Sequence, residues 1–232
     1  MKIFNVISIL FFLMACNNAN KSEETITTDP LKKIADTYHI TVVRLPKTSK
    51  AANAENPYTI KIDNLNLKTT KAYDPVFIAS KSAEIIYESF KTGEEENIQV
   101  NVNSIVKTDV FNFKVENIKN RAILTKIGRS GVEKLIKGDY DSFFKMVDSK
   151  YFTEEAYNKC INDHIKLHPE AYKGIDKIKD FGFSFDEYQG HNIAIMYFRT
   201  TSSNNVTLEY AINIINNDNP KIAGFNIYER NF

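Results

Sequence analysis

Cys160, His164 and His168 stand four residues apart. On a helix of 3.6 residues per turn they form one stripe, drifting about 40° per step. A thiolate and two imidazoles on one face could ligate a metal, with Asp163 or Glu170 close by. The same groups could instead form a Cys–His nucleophile pair. Against both stands the habit of cysteine to act as a small buried hydrophobe, and Pro169 ends any helix near His168. The stripe is therefore read as structural, with no metal and no cofactor assigned. A second set holds carboxylates and phenols. Asp180, Asp186 and Glu209 fall at strand positions or strand ends, and Tyr197 and Tyr210 fall within strands. A carboxylate base and a tyrosine donor in an apolar pocket would suit proton transfer at carbon. None of the five matches a catalytic motif, and no catalytic residue is assigned. The third set is aromatic. Phe181, Phe183 and Phe185 alternate and so share one face of a strand; with Tyr197 and Tyr210 they are the candidate lining of an apolar ligand site. Plain core is the competing reading of the same stripe. The chain carries no phosphate-binding loop, no zinc-metalloprotease motif and no serine-hydrolase elbow.

The first residues bear on where such a site would work. Met1-Lys2 supplies one positive charge, Ile3 to Met14 is nearly all apolar, and Ala15 precedes Cys16. The apolar run is about 12 residues, against roughly 20 for a spanning helix. A short positive region before an apolar run of this length is a secretory signal pattern. Leu13-Met14-Ala15-Cys16 resembles the lipobox of bacterial lipoproteins, although Met14 is bulkier than the usual occupant. The resemblance implies cleavage before Cys16, lipidation of Cys16 and membrane attachment through acyl chains, since one chain alone holds only marginally. Asn17 is not the aspartate that often retains lipoproteins at the inner membrane. Ser22-Glu23-Glu24 resembles a short acidic surface-export signal, and equally a plain flexible tether. The implied address is the cell envelope, on the outer membrane, with the periplasmic and surface faces both open.

Removing residues 1–15 leaves about 217, enough for one large or two small domains. The 30 basic and 29 acidic residues of the whole chain nearly cancel, which argues against nucleic acid as a partner. Cys160 is the only thiol besides Cys16, so with Cys16 lipidated no intrachain disulfide is available. Sixteen Phe and twelve Tyr supply the apolar area for a core instead.

Residues 16–29 read as the lipidated cysteine and a polar tether. Asp29-Pro30 reads as a helix start, with the helix reaching about Thr37. His39 to Leu45 and Tyr58 to Ile62 read as strands, and Lys47 to Pro57 as a loop. Asp74-Pro75 starts a helix whose apolar face is Val76, Ala79, Ala83, Ile86 and Phe90, stopped by Gly93. The run Glu94-Glu95-Glu96 reads as a solvated loop. Ile98, Val100 and Val102 alternate, as do Phe111, Phe113 and Val115, with a turn at Lys107-Thr108-Asp109. Residues 30–117 thus read as a small sheet under one covering helix. Residues 118–232 begin with helices: Ile118 to Lys137, weakened by Gly128 and Gly131 and ended by Gly138; Asp139 to Val147; and Glu154 to Leu167, capped by Thr153. Strands follow, at Phe181 to Phe185, Asn192 to Thr200, Val206 to Ile214 and Lys221 to Tyr228. The class is α+β.

The second half resembles the nuclear-transport-factor-2-like cone fold. The residues behind this are "GDYDSFFKMV" (Gly138 to Val147) at a helix junction and "NPKIAGFNIYE" (Asn219 to Glu229) in the last strand. Pro220 stands where many members have tryptophan. The resemblance implies a curved antiparallel meander around a helix and a tapering cavity. Some members are isomerases or dehydratases, while many others bind ligands or dimerise through the sheet. The expectation is a non-catalytic module that binds a small apolar ligand or a protein partner. A cone-fold enzyme and a dimerising assembly lipoprotein are the alternatives.

Overall fold

The computed structural model describes residues 24–46, 57–63, 75–90, 97–104, 107–166 and 168–230. The expected signal peptide, Cys16 and the expected tether up to residue 23, Asp74, Gly93 and the Glu94-Glu95-Glu96 run lie outside the described residues, as does most of the loop expected over Lys47 to Pro57. The elements are α1 (Glu24–Tyr38), β1 (Thr41–Arg44), β2 (Tyr58–Asp63), α2 (Pro75–Ser89), β3 (Asn97–Asn103), β4 (Thr108–Lys114), α3 (Val115–Lys119), α4 (Arg121–Lys137), α5 (Tyr140–Phe144) and α6 (Glu154–Cys160). A π-helix (Ile161–Lys166) and a 3-10 turn (Pro169–Tyr172) follow, and then β5 (Ile178–Tyr188), β6 (His191–Thr201), β7 (Thr207–Ile215) and β8 (Ile222–Arg230). The class is α+β, as the order of patterns implied.

The first sheet runs β1-β2-β3-β4. Its outer pairs are antiparallel and its central pair, β2 with β3, is parallel, with α2 as the crossover. A parallel pair needs such a covering helix. Ile78, Ala79, Ala83 and Ile86 of α2 are buried, as are Ile60, Ile62, Ile98, Val100 and Val102 of the sheet. Along β3 every second residue is buried, so this sheet has one dry face and one wet face.

The second sheet is an antiparallel meander, β5-β6-β7-β8. Helix α4 packs on β5, β6 and β7. Gly128 and Gly131 look like weak points in a helix, but they are where it meets the sheet. A Cβ at Gly128 would come within 2.7 Å of the Phe198 ring, and one at Gly131 within 3.0 Å of Ile222 and 3.2 Å of Phe143. Close approach outweighs the roughly 1 kcal/mol propensity cost of each glycine. Gly138 closes α4 in the left-handed conformation (φ 70°), its N–H bonded to Leu135. Thr153 caps α6 through a 3.2 Å bond from the Ala156 N–H.

Several boundaries differ from expectation: Val115 begins α3 and not a strand end, and α5 stops at Phe144, short of Val147. Helix α1 begins at Glu24 and holds Pro30 inside it, although proline removes one helical hydrogen bond. The helix expected from Ile118 is broken at Asn120, so α3 and α4 are separate. The helix after Thr153 leaves α geometry at Ile161 and continues as a π-helix. In β8 the register shifts beside Gly224, where a bend was expected. The buried apolar residues form one cluster that runs through both halves, from Ile34 to Ile227.

Candidate functional site

The two sheets meet along α2 and β5. At Asp180–Gly182 the register of β5 slips by one residue. Gly182 has φ +115°, and a Cβ there would lie 2.5 Å from Ser80 Oγ and 3.3 Å from Phe77 Cα. Glycine is required on both counts, backbone and space. The bulge turns Phe181 away from Phe183. Phe181 stacks on Phe77 of α2 at 5.0 Å between centroids and 18° between planes. The Arg199 guanidinium sits 3.6 Å above the Phe181 ring and is ion-paired with Glu209 on the neighbouring strand. Phe183 is fully buried and meets Phe113 edge-on.

Beside this stack lies a cavity of about 310 Å³, walled by Val76 at the start of α2 and by Phe181, Tyr197, Glu209 and Tyr228. Tyr210 and Glu229 complete it. Strand pairing sets Arg199 beside Glu209 and Glu209 beside Tyr228, so these side chains share the face turned away from α4. The Tyr197 hydroxyl is 3.2 Å from that of Ser184. Aromatic rings make up most of the lining, with Glu209 and Glu229 the charged residues beside them, the usual composition of a small-molecule site. The charge of Glu209 is met by Arg199 at its Nε, 3.1 Å away, and again at an Nη. A carboxylate held this way is no free base. Burial pushes the Tyr210 hydroxyl well above the usual phenol range, an effect the neighbouring Thr200 hydroxyl partly opposes. Neither hydroxyl makes a hydrogen bond of good geometry.

A set of charges locks the wall in place. Lys81 of α2 lies 3.2 Å from Asp180 and 3.3 Å from Glu84, and Arg121 of α4 pairs with Glu84 and reaches Asp180 at 3.8 Å. Asp180 also accepts the Gly182 N–H at 3.2 Å. It is thus a positioning group for α2, α4 and the bulge. Asp186 lies exposed at the far end of β5, where it accepts the N–H of Glu187.

The structure therefore divides the five expected lining residues. Phe181, Tyr197 and Tyr210 border one cavity. Phe183 is core, and Phe185 lies at a different concavity. The bulge sets Phe181 apart by breaking the two-residue period there, whereas Phe183 and Phe185 keep the period and differ in depth, the first buried and the second half-buried. Of the Cys160 stripe, the side chain of His164 lies outside the described residues, and the third position is not on the helix. His168 stands outside the helices with φ −126°, exposed and 3.8 Å from Glu170. Burial pushes the Cys160 thiol up from its ordinary value to about 11, which disfavours a thiolate nucleophile. Among the described residues no group of three His, Cys, Asp or Glu side chains could hold a metal ion.

The second concavity, about 740 Å³, lies between the wet face of the first sheet and the β5–β6 hairpin. Five of its lining residues are amides: Asn97 and Gln99 on β3, Asn112 on β4, Asn117 on α3 and Asn192 on β6. Asn192 donates to Asn117 at 2.8 Å, and Asn216 donates to Asn117 at 3.0 Å. The signal for this surface is in the sequence as "NIQVNVN" (Asn97–Asn103). The apolar members of that run mark the strand, and the amides between them mark the cleft.

In comparisons with known proteins, no family model, no curated protein and no solved structure matches this chain.

Proposed function

We propose that the chain is a lipid-anchored cell-envelope protein whose folded part binds a small apolar ligand without transforming it. The observation that carries the binding reading is the ring-lined cavity at Phe181, Tyr197 and Tyr228. Its one well-buried carboxylate, Glu209, is neutralised by Arg199. The anchor reading rests on the lipobox-like residues ending at Cys16. No helix among the described residues is long and apolar enough to cross a membrane, and acyl chains on Cys16 would hold the protein on the outer membrane. The order of helices and meander after residue 118 supports a cone-like second unit. In this reading residues 30–117 supply one wall of the cavity through Val76, and Phe77 backs that wall by stacking on Phe181. The ligand then sits on the sheet face opposite α4, because the α4 face is filled at Gly128 and Gly131.

Native mass spectra of the full chain mixed with envelope lipid extract test the binding. A discrete added mass of a few hundred daltons is expected, lost in Tyr228→Ala and Tyr197→Ala. Tyr228 is 51% exposed, so its removal leaves the fold intact. A spectrum without added mass across the extract would count against the reading. For the anchor, Cys16→Ser should accumulate uncleaved and carry no acyl mass. Normal cleavage and membrane fractionation of that variant would end the anchor proposal.

A further inference from the structure

The amide-lined cleft is separate from the cavity at Phe181 and has chemistry of its own. Four amides, Asn97, Gln99, Asn101 and Asn103, occupy alternate positions of β3 on its wet face. Asparagine is depleted in strands, where threonine and valine fit better. Gln99 pairs in register with Asn112 of β4 and donates to its Oδ1 at 2.9 Å. Of the four, Asn97 and Gln99 line the cleft. From the other side the β5–β6 hairpin brings Phe185, half-buried, to the same cleft.

We propose that this cleft binds a neutral saccharide. The Gln99–Asn112 pair uses one NH₂ and one carbonyl, which leaves the Gln99 carbonyl and the Asn112 NH₂ to meet two adjacent hydroxyls. The face of an aromatic ring such as Phe185 is electron-rich and takes the C–H face of a sugar ring. The charges flanking the cleft are Lys114 against Asp186 and Glu187. That balance does not suit phosphate or nucleic acid, which need a basic surface. An added peptide strand would need an open sheet edge, whereas these amides lie on a sheet face. The volume falls within the roughly 300–1,000 Å³ usual for ligand sites, and the open shape admits a chain of sugars.

The test is a titration of the isotope-labelled full chain, held in a zwitterionic detergent without a sugar headgroup. The probes are the neutral trisaccharides of β-1,4-glucose, α-1,4-glucose and β-1,4-N-acetylglucosamine, at millimolar concentration. At least one is expected to move the side-chain NH₂ signals of Gln99, Asn112 and Asn97. Gln99→Ala and Asn112→Ala should each weaken that probe about five- to tenfold, the worth of a hydrogen bond. Phe185→Ala should weaken it as well. Asn112 is exposed, so its variant folds and the result is interpretable. If no probe moves those signals, the proposal falls. It also falls if shifts appear only around Tyr197 and Phe181, or if the amide variants bind as tightly as the parent.

Discussion

The two four-stranded sheets solve the burial problem differently. The first keeps one face dry under α2 and leaves the other to water, with amides at its alternate positions. The second buries β7 on both faces: eight of its nine residues, from Thr207 to Ile215, are buried. One face of that strand is covered by α4, and the other carries the Arg199–Glu209 pair and the ring-lined cavity. A sheet covered on one side can spare its wet face for polar recognition. A sheet covered on both sides can hold a ring-lined cavity, but only where another element arrives to wall it. Here that element is the start of α2, and its arrival depends on a bulge and a glycine.

The largest expected effect is at that arrival point. Gly182→Val should cost about 3 kcal/mol or more in urea unfolding, because it combines backbone strain with a clash against Phe77 and Ser80. A loss below about 1 kcal/mol would mean that α2 does not seat on β5 as described. Next comes Gly128→Ala, which should destabilise by about 1–3 kcal/mol although alanine is the better helix former. Phe198→Leu made in the same chain should recover part of that loss, since Phe198 is the ring the new methyl meets. If Gly128→Ala instead stabilises, the α4 face of the second sheet is looser than the α2 face.

Smaller effects separate the charges at the seam. Glu84→Gln should cost about 1 kcal/mol, the upper end for partly exposed ion pairs. A double-mutant cycle with Arg121→Met should show coupling between the two, and an additive cycle would remove the network from the seam. The Cys160 thiol should be slow to alkylate at neutral pH, with the rate rising toward a midpoint near its folded value of about 11. The sign for stability follows from the same shift. The unfolded thiol ionises first, so its contribution is intact below about pH 8.5 and shrinks as pH rises toward the folded value. A fast reaction at pH 7 would show Cys160 to be an activated thiol.

The smallest effect tests the wet face. Gln99→Thr should leave stability unchanged or raise it by a few tenths of a kcal/mol, because threonine suits an exposed strand position better. A gain would show that the amides are kept for something other than the fold. A clear loss would show that the Gln99–Asn112 bond supports the hairpin.

The α+β class, the helix after Pro75, the four late strands and the caps at Gly138 and Thr153 were legible in the sequence. They rest on short-range causes: apolar period, a left-handed glycine and a hydroxyl that reaches an N–H. The break at Asn120 and the passage from α6 into a π-helix were not legible, because the residue types there permit a continuous helix. The candidate site was read in part. Tyr197, Tyr210 and Phe181 could be picked out as aromatic strand residues. Glu209 could be picked out too, as a carboxylate at a strand position, but not its partners: Val76 comes from a distant segment, and Arg199 carries a charge that sequence alone places in water. Nor could the sequence show that Phe181 and Phe183 face opposite ways. Alternation fixes faces only while the ladder stays in register, and whether it slips at Gly182 depends on what packs against that glycine from elsewhere in the chain. The sequence by itself determined which segments become helices and strands, and their ends where a left-handed glycine or a capping hydroxyl marks them. Only the tertiary structure decided which faces meet, since a close contact between Gly182 and Ser80, about a hundred residues apart, has no trace in local pattern.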